Sequence, residues 1–148
     1  MNRNTHRYSR GKVVALSFWL FASVVVVASP GMSVAGQALA PQTNREGGVT
    51  VKVTPLDTAA QSASFRFEVV LDTHAGDLNH DMLAVTVLTD GGREWRPIAW
   101  EGDGPGGHHR KGILTFDPIR PAPASVTLRI RQVGGATERS FTWPVAAP

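Results

Sequence analysis

The chain contains no cysteine among its 148 residues. This absence excludes a disulfide framework, a thiolate metal centre and a cysteine nucleophile. It also excludes a lipid anchor attached to a cysteine at the start of a mature chain. A folded domain must therefore depend on its apolar core and its hydrogen bonds, which is feasible for about 100 residues.

Signatures of common catalytic and phosphate-binding sites are also missing. No serine lies in a Gly-x-Ser-x-Gly context, and no Gly-Lys-Ser/Thr follows the glycine-rich stretch 101–111. Asp72 and His74 could form an acid–base pair, but the chain offers no convincing nucleophile beside them. We therefore predict a protein that is not an enzyme.

The first 35 residues contain no acidic side chain and have the features of a secretory signal. Four basic residues come first: Arg3, Arg7, Arg10 and Lys12. An uncharged apolar run follows at residues 13–28, and Ser33-Val34-Ala35 matches the small-residue cleavage pattern. Ala38-Leu39-Ala40 is a second match, disfavoured by the proline that follows it.

The apolar run is shorter than the roughly 20 residues that span a bilayer, so a cleaved signal is favoured over a retained membrane anchor. We predict a mature N-terminus at or near Gly36 and export to the periplasm or the cell exterior. Any contact with a membrane would come through an uncleaved leader.

The charge balance changes once the leader is set aside. The whole chain has 15 Lys and Arg against 12 Asp and Glu, and four of the basic residues precede Ala35. The remaining chain therefore has 11 basic and 12 acidic residues, for a net charge of −1. A nucleic-acid-binding domain needs a basic surface, so we predict no nucleic-acid partner.

No segment after the leader has a sustained apolar period of 3.6 residues, whereas several segments alternate as strands do. The clearest is Phe65–Leu71, in which Phe65, Phe67, Val69 and Leu71 share one face. Seven strands are predicted, at residues 49–54, 65–71, 82–89, 93–100, 112–116, 125–132 and 138–145.

Short strands separated by turn residues are typical of an all-β, immunoglobulin-like antiparallel β-sandwich, here spanning residues 49–148. A small barrel is the alternative. Pro97 should make the fourth strand an edge strand or break it, because proline cannot donate to a central ladder. Residues 36–48 are polar and are predicted to form a flexible lead-in, and Trp143 is predicted to lie in the core.

In such a sandwich the second–third, fourth–fifth and sixth–seventh connections gather at one end. Here these are residues 72–81, 101–111 and 133–137. Together they contain the candidate binding residues Asp72, His74, Asp77, His80, Asp81, Asp103, His108, His109 and Arg110.

Two groups of residues also resemble a set of short exported bacterial and archaeal proteins. One group is Asp72-Thr73-His74 with Asp77-Leu78. The other is Trp100-Glu101-Gly102 with Gly106-Gly107-His108-His109-Arg110-x-Gly112-x-Leu114-x-Phe116. The resemblance runs from about Val49 to Trp143. It implies export and an immunoglobulin-like sandwich, and it implies no activity.

Two functions remain open for the histidine-bearing loops. His74, His80, His108 and His109 could bind zinc or copper(II) through their imidazoles. Asp77-x-Asn79-x-Asp81 resembles the start of a calcium loop, but an EF-hand is excluded, because Met82 stands where glycine is needed and Leu88 where glutamate is needed. A calcium site of another kind at these carboxylates is a weaker alternative, since such aspartates more often cap turns. Alternatively, the histidines hydrogen-bond to loop carbonyls and hold the glycine-rich turn. We favour a binding or structural interaction module of unknown protein partner over a metal-binding one.

Overall fold

The computed structural model describes residues 39–145. The predicted leader and the first residues of the lead-in lie outside this range. The elements are β1 (Gln42–Glu46), β2 (Val49–Asp57), β3 (Phe65–Thr73), α1 (Met82–Val85), β4 (Thr86–Thr89), β5 (Glu94–Trp95), β6 (Ala99–Gly102), β7 (His109–Phe116), β8 (Ser125–Val133) and β9 (Ala136–Pro144).

The strands form two antiparallel sheets, one in the order β1-β2-β3-β7-β6 and the other in the order β5-β4-β8-β9. With β2 as strand A and β9 as strand G, the sheets read A-B-E-D and C′-C-F-G. This is the seven-strand immunoglobulin arrangement with two added strands, β1 and C′ (β5). The predicted immunoglobulin-like sandwich is confirmed, and the barrel alternative is wrong.

The core lies between the sheets and is formed by the predicted faces. Phe65, Phe67 and Val69 are fully buried and Leu71 is 1% exposed, which confirms the inward face of the second predicted strand. The ring of Phe67 meets Phe116 edge-on, with centroids 5.9 Å apart, and lies 5.6 Å from the Trp143 ring. Trp143 is a core residue, as predicted.

The predicted strand 82–89 is wrong over its first half, because Met82–Val85 form one turn of helix. Asp81 is the N-cap of that turn: its side chain accepts a hydrogen bond from the Leu83 N–H at 3.0 Å. This bond satisfies a backbone donor that a strand would have paired with a neighbour. The strand starts only at Thr86.

Pro97 divides the predicted strand 93–100 into two strands, which confirms the expectation that this proline breaks it. β5 and β6, on either side of it, are edge strands of different sheets. The chain therefore crosses from one sheet to the other at Pro97. This division and β1 account for nine strands where seven were predicted.

The predicted flexible lead-in is wrong over residues 42–46, which form β1. Its backbone pairs with β2, and its side chains reach β9 in the other sheet. The Gln42 amide donates to the Thr142 carbonyl at 2.6 Å and accepts from the Thr142 N–H at 3.2 Å. Just before β1, the Ala40 carbonyl accepts from Trp143 Nε1 at 2.8 Å. β1 thus joins the two sheets along one side of the sandwich.

The side chain of Arg139 also holds β1 in place. Arg139, which is 1% exposed, donates to the Val133 and Glu46 carbonyls and to the Asn44 side chain. The turn after β1 passes close to the β8–β9 turn, and a Cβ atom at Gly47 would lie 1.5 Å from the Gly134 oxygen. The φ angle of Gly47 is also left-handed, at +54°. Both the clash and the φ angle therefore require glycine at this position.

No helix within residues 39–145 has the length and apolar character needed to cross a membrane.

Replacing Phe67 with alanine should lower the free energy of unfolding by about 3–5 kcal/mol, because the cavity left between Phe116 and Trp143 cannot fully collapse. The matched control is Arg66→Ala on the outer face of the same strand, which should change stability by about 0.5 kcal/mol or less. Denaturant unfolding of both variants measures the difference. A Phe67→Ala protein that unfolds like the parent would contradict the packing described above.

Candidate functional site

The predicted B–C and D–E loops are neighbours, because β3 ends where β7 begins. Asp72 pairs with His109 in the ladder, and the Thr73 N–H then donates to the His108 carbonyl at 2.8 Å. Farther along the loops, Leu78 N–H donates to Gly107 O and Gly106 N–H to Leu78 O, both at 3.0 Å. We call residues 73–81 and 103–109 the locked pole.

Leu78 anchors this surface, although the sequence analysis named it only within the resemblance and gave it no role. Its N–H and its carbonyl both bond to the opposite loop, and its side chain is only 1% exposed. It is the one large apolar residue in the polar segment 72–81. A single large apolar side chain in a polar loop usually points inward, so the burial of Leu78 could have been predicted from the sequence.

Arg110 fastens the two loops from beneath. The residue is 2% exposed, and its Nε donates to the Asp103 carbonyl at 3.1 Å. Its Nη1 donates to the carbonyls of Leu78, at 3.3 Å, and His80. Burial lowers the pKa of Arg110, while the nearby charges of Asp103 and Asp81 act in the opposite direction. An arginine remains protonated under such opposing effects, so the bonds are charge-assisted.

Trp100 supports the Arg110 side chain. The guanidinium carbon lies 5.3 Å from the centre of the Trp100 ring, within range of a cation–π contact. The indole N–H donates to the Asp103 carbonyl at 2.9 Å. A Cβ atom at Gly112 would lie 2.5 Å from the indole, so a glycine is required there. The Trp-Glu-Gly and Arg-x-Gly parts of the sequence resemblance thus describe one packed structural unit.

The interpretation that histidine side chains hold the turn is corrected by these contacts. The carbonyls of residues 78, 80 and 103 are bonded by Arg110 rather than by an imidazole. The glycine-rich segment is also shorter than the predicted 101–111, since β6 runs to Gly102 and β7 starts at His109. The irregular part is therefore 103–108.

The histidines are placed separately within the locked pole. His109 Nδ1 lies 2.5 Å from Asp72 Oδ1, and the two side chains are 61% and 52% exposed. A pair this exposed contributes little to stability. His74 and His108 are exposed, whereas His80 is half-buried and its Nδ1 is buried without a hydrogen-bond partner.

The predicted acidic residues have mostly local roles. The carboxylate of Asp103 accepts from the Lys111 N–H at 2.8 Å, Asp81 caps α1, and Asp77 is exposed. Within residues 39–145, no three histidine or acidic side chains converge closely enough to hold a metal ion. Zinc sites normally need three or four protein ligands, so the described pole does not assemble the predicted zinc or copper(II) set.

We expect Arg110→Met to lower the free energy of unfolding by about 2–3 kcal/mol, because buried loop carbonyls lose a charged donor. Arg110→Lys should restore only part of this loss, since an ammonium group cannot reach three separated carbonyls as a guanidinium does. The neighbouring Lys111→Met is the matched control. Lys111 is half exposed and pairs with Glu68 at 2.7 Å, so the cost should be at most about 0.5 kcal/mol.

Urea unfolding of the three variants measures these differences. Equal stability of Arg110→Met and Lys111→Met would show that Arg110 does not fasten the loops.

Comparisons with known proteins give one structural likeness. No protein-family model matches the chain, and no curated protein matches it in sequence. Among solved structures, it is similar to the secreted protein MPT63 from Mycobacterium tuberculosis. The match has 16% identity, covers 74% of this chain and 95% of that chain, and has a TM-score of 0.44. At this level the likeness says nothing about function, and the sandwich fold stands on the strand order described above.

Proposed function

We propose that the protein is an exported, non-catalytic binding module and that the locked pole is its contact surface for a protein partner. The observation that supports this proposal most strongly is the fastening of the two loops to each other by backbone hydrogen bonds and by Arg110. Loops fixed in advance lose little conformational entropy on binding, so more of the contact energy appears as affinity.

The exposed side chains of the locked pole suit polar recognition. His74, Asp77, Asn79, Pro105 and His108 all face solvent. They combine hydrogen-bond donors and acceptors with a rigid proline on a backbone of fixed shape. Loops on a rigid sandwich scaffold are a common location for binding residues.

The exposure of the Asp72–His109 pair supports a non-catalytic function. Both side chains are more than half exposed. Electrostatic catalysis is strongest where water is excluded, and a proton on an exposed imidazole exchanges freely with solvent. Export is proposed on the basis of the leader, whose basic segment, apolar run and cleavage pattern occur in the order that a signal requires.

Site-specific photo-crosslinking in the native host tests the contact surface. We expect a photoreactive amino acid at His108 or His74 to give a discrete protein adduct. The matched control is Gln61, an exposed residue in the β2–β3 loop at the opposite end of β3. An adduct at His108 and none at Gln61 is the expected result. No adduct at the pole, or the same adducts from both ends, would contradict the proposal.

Melting temperatures measured during a zinc titration distinguish this proposal from the metal-binding alternative. The proposal predicts no zinc-dependent rise in melting temperature. A rise in the parent that disappears in the double variant His108→Ala, His109→Ala would instead favour metal binding.

A further inference from the structure

An open depression of about 400 Å³ lies between α1 and the β8–β9 hairpin. Six residues line it: Ala84, Val85, Arg131, Gln132, Thr137 and Glu138. Its volume falls within the range of small-ligand sites in proteins. None of its lining residues belongs to the locked pole.

Gln132, on the rim of the depression, has an unusual backbone conformation. Its φ of +56° is left-handed, a region that residues other than glycine, asparagine and aspartate seldom occupy. The hairpin turn itself uses Gly134 and Gly135 for its positive φ angles. The left-handed backbone of Gln132 is therefore not needed to form the turn. Residues with such strained backbone conformations concentrate at binding and catalytic sites.

The strand ladder is interrupted at the same place. Cross-strand pairing passes from Arg131–Glu138 to Val133–Ala136 and omits Gln132 and Thr137. The strain and the interruption both occur beside the depression. The irregular backbone at Gln132 therefore forms part of the wall of the depression.

The two charged residues that line the depression, Arg131 and Glu138, are paired, and nearby Arg96 donates to the Ala84 carbonyl at 3.2 Å. Arg131 Nε donates to Glu138 Oε2 at 3.0 Å, and Arg131 Nη2 donates to Glu94 Oε1. Glu138 also lies near Arg129, with a nitrogen–oxygen distance of 3.5 Å. A charged ligand would have to compete with these pairs. The neutral groups left to recognise a ligand are the Gln132 carboxamide and the Thr137 hydroxyl, beside the small apolar side chains of Ala84 and Val85.

We propose that this depression binds a short, uncharged, extended peptide segment. A carboxamide and a hydroxyl each donate and accept hydrogen bonds, as peptide groups require. The alanine and valine side chains can contact a small apolar side chain between those peptide groups. The depression shares no lining residue with the locked pole, although Asp81 of the pole caps α1. The two proposals name different contact residues and ligands, so each can fail without the other.

The test is a titration of the full mature domain with acetyl-Ala-Val-Ala-amide, followed through backbone amide chemical shifts in NMR spectra. We expect saturable shifts at Ala84, Val85, Gln132 and Thr137, with none at Gln61 on the opposite end of the sandwich. Gln132→Gly should weaken binding about tenfold or more, the effect of losing a pair of hydrogen bonds. Its melting temperature should not fall, because glycine accepts a positive φ without strain.

Two further variants separate binding from folding. Gln132→Asn keeps a carboxamide and tolerates the left-handed conformation, so it should retain most of the binding. Thr137→Val keeps the strand preference and removes the hydroxyl, so it should weaken binding without unfolding the hairpin.

Several outcomes would overturn the proposal. One is the absence of saturable shifts in the parent at millimolar peptide. A second is equal affinity of the parent and Gln132→Gly. A third is binding of glucose or of the acidic peptide acetyl-Asp-Val-Asp-amide at these residues in preference to the neutral one, which would refute the ligand class.

Discussion

Three arginine side chains of the described sandwich each donate hydrogen bonds to two or more backbone carbonyl groups, including carbonyls of segments distant in sequence from the arginine. Arg110 reaches Asp103, Leu78 and His80; Arg139 reaches Val133 and Glu46; and Arg120 reaches Ala60 and Ser62. A guanidinium offers five N–H groups in a fixed plane, so one side chain can satisfy several carbonyls at once. For Arg110 and Arg139 these include carbonyls in buried bonds, those of Leu78 and Val133. These contacts link separate segments in a chain that has no disulfide. A disulfide stabilises a protein mainly by restricting the unfolded chain, whereas these hydrogen bonds stabilise the native state.

The sandwich core could be predicted from sequence because its signal is local. Alternation over Phe65–Leu71 is enough to identify the buried face, and turn residues separate the strands. β1 could not be predicted in this way, since the Gln42 amide that ties it to β9 bonds with a residue 100 positions away. The turn of α1 was missed because residues 82–85 were predicted to form one strand with the β-branched residues after them, although Asp81 is a good helix cap and Met82, Leu83 and Ala84 favour a helix.

The position of the candidate site was predicted from the sequence, but the residues that hold its loops together were not. Topology placed the B–C and D–E loops together, and the cross-strand pair Asp72–His109 confirms that placement. Residue type drew attention to the histidines, whereas the contacts between the loops are made by Arg110 and Leu78. Side-chain directions in an irregular loop follow no period, so sequence spacing cannot show which of them point inward.

Native-state hydrogen exchange tests most directly whether Arg110 fixes the locked pole. The amides of Leu78 and Gly106 report the bonds between the loops, and the amide of Ile98, which donates to the Thr115 carbonyl at 2.8 Å, reports a distant part of the same sheet. In Arg110→Lys we predict exchange about tenfold faster or more at Leu78 and Gly106, with Ile98 unchanged, because local opening should become easier only where the guanidinium is lost. Unchanged protection at Leu78 and Gly106 would contradict the account.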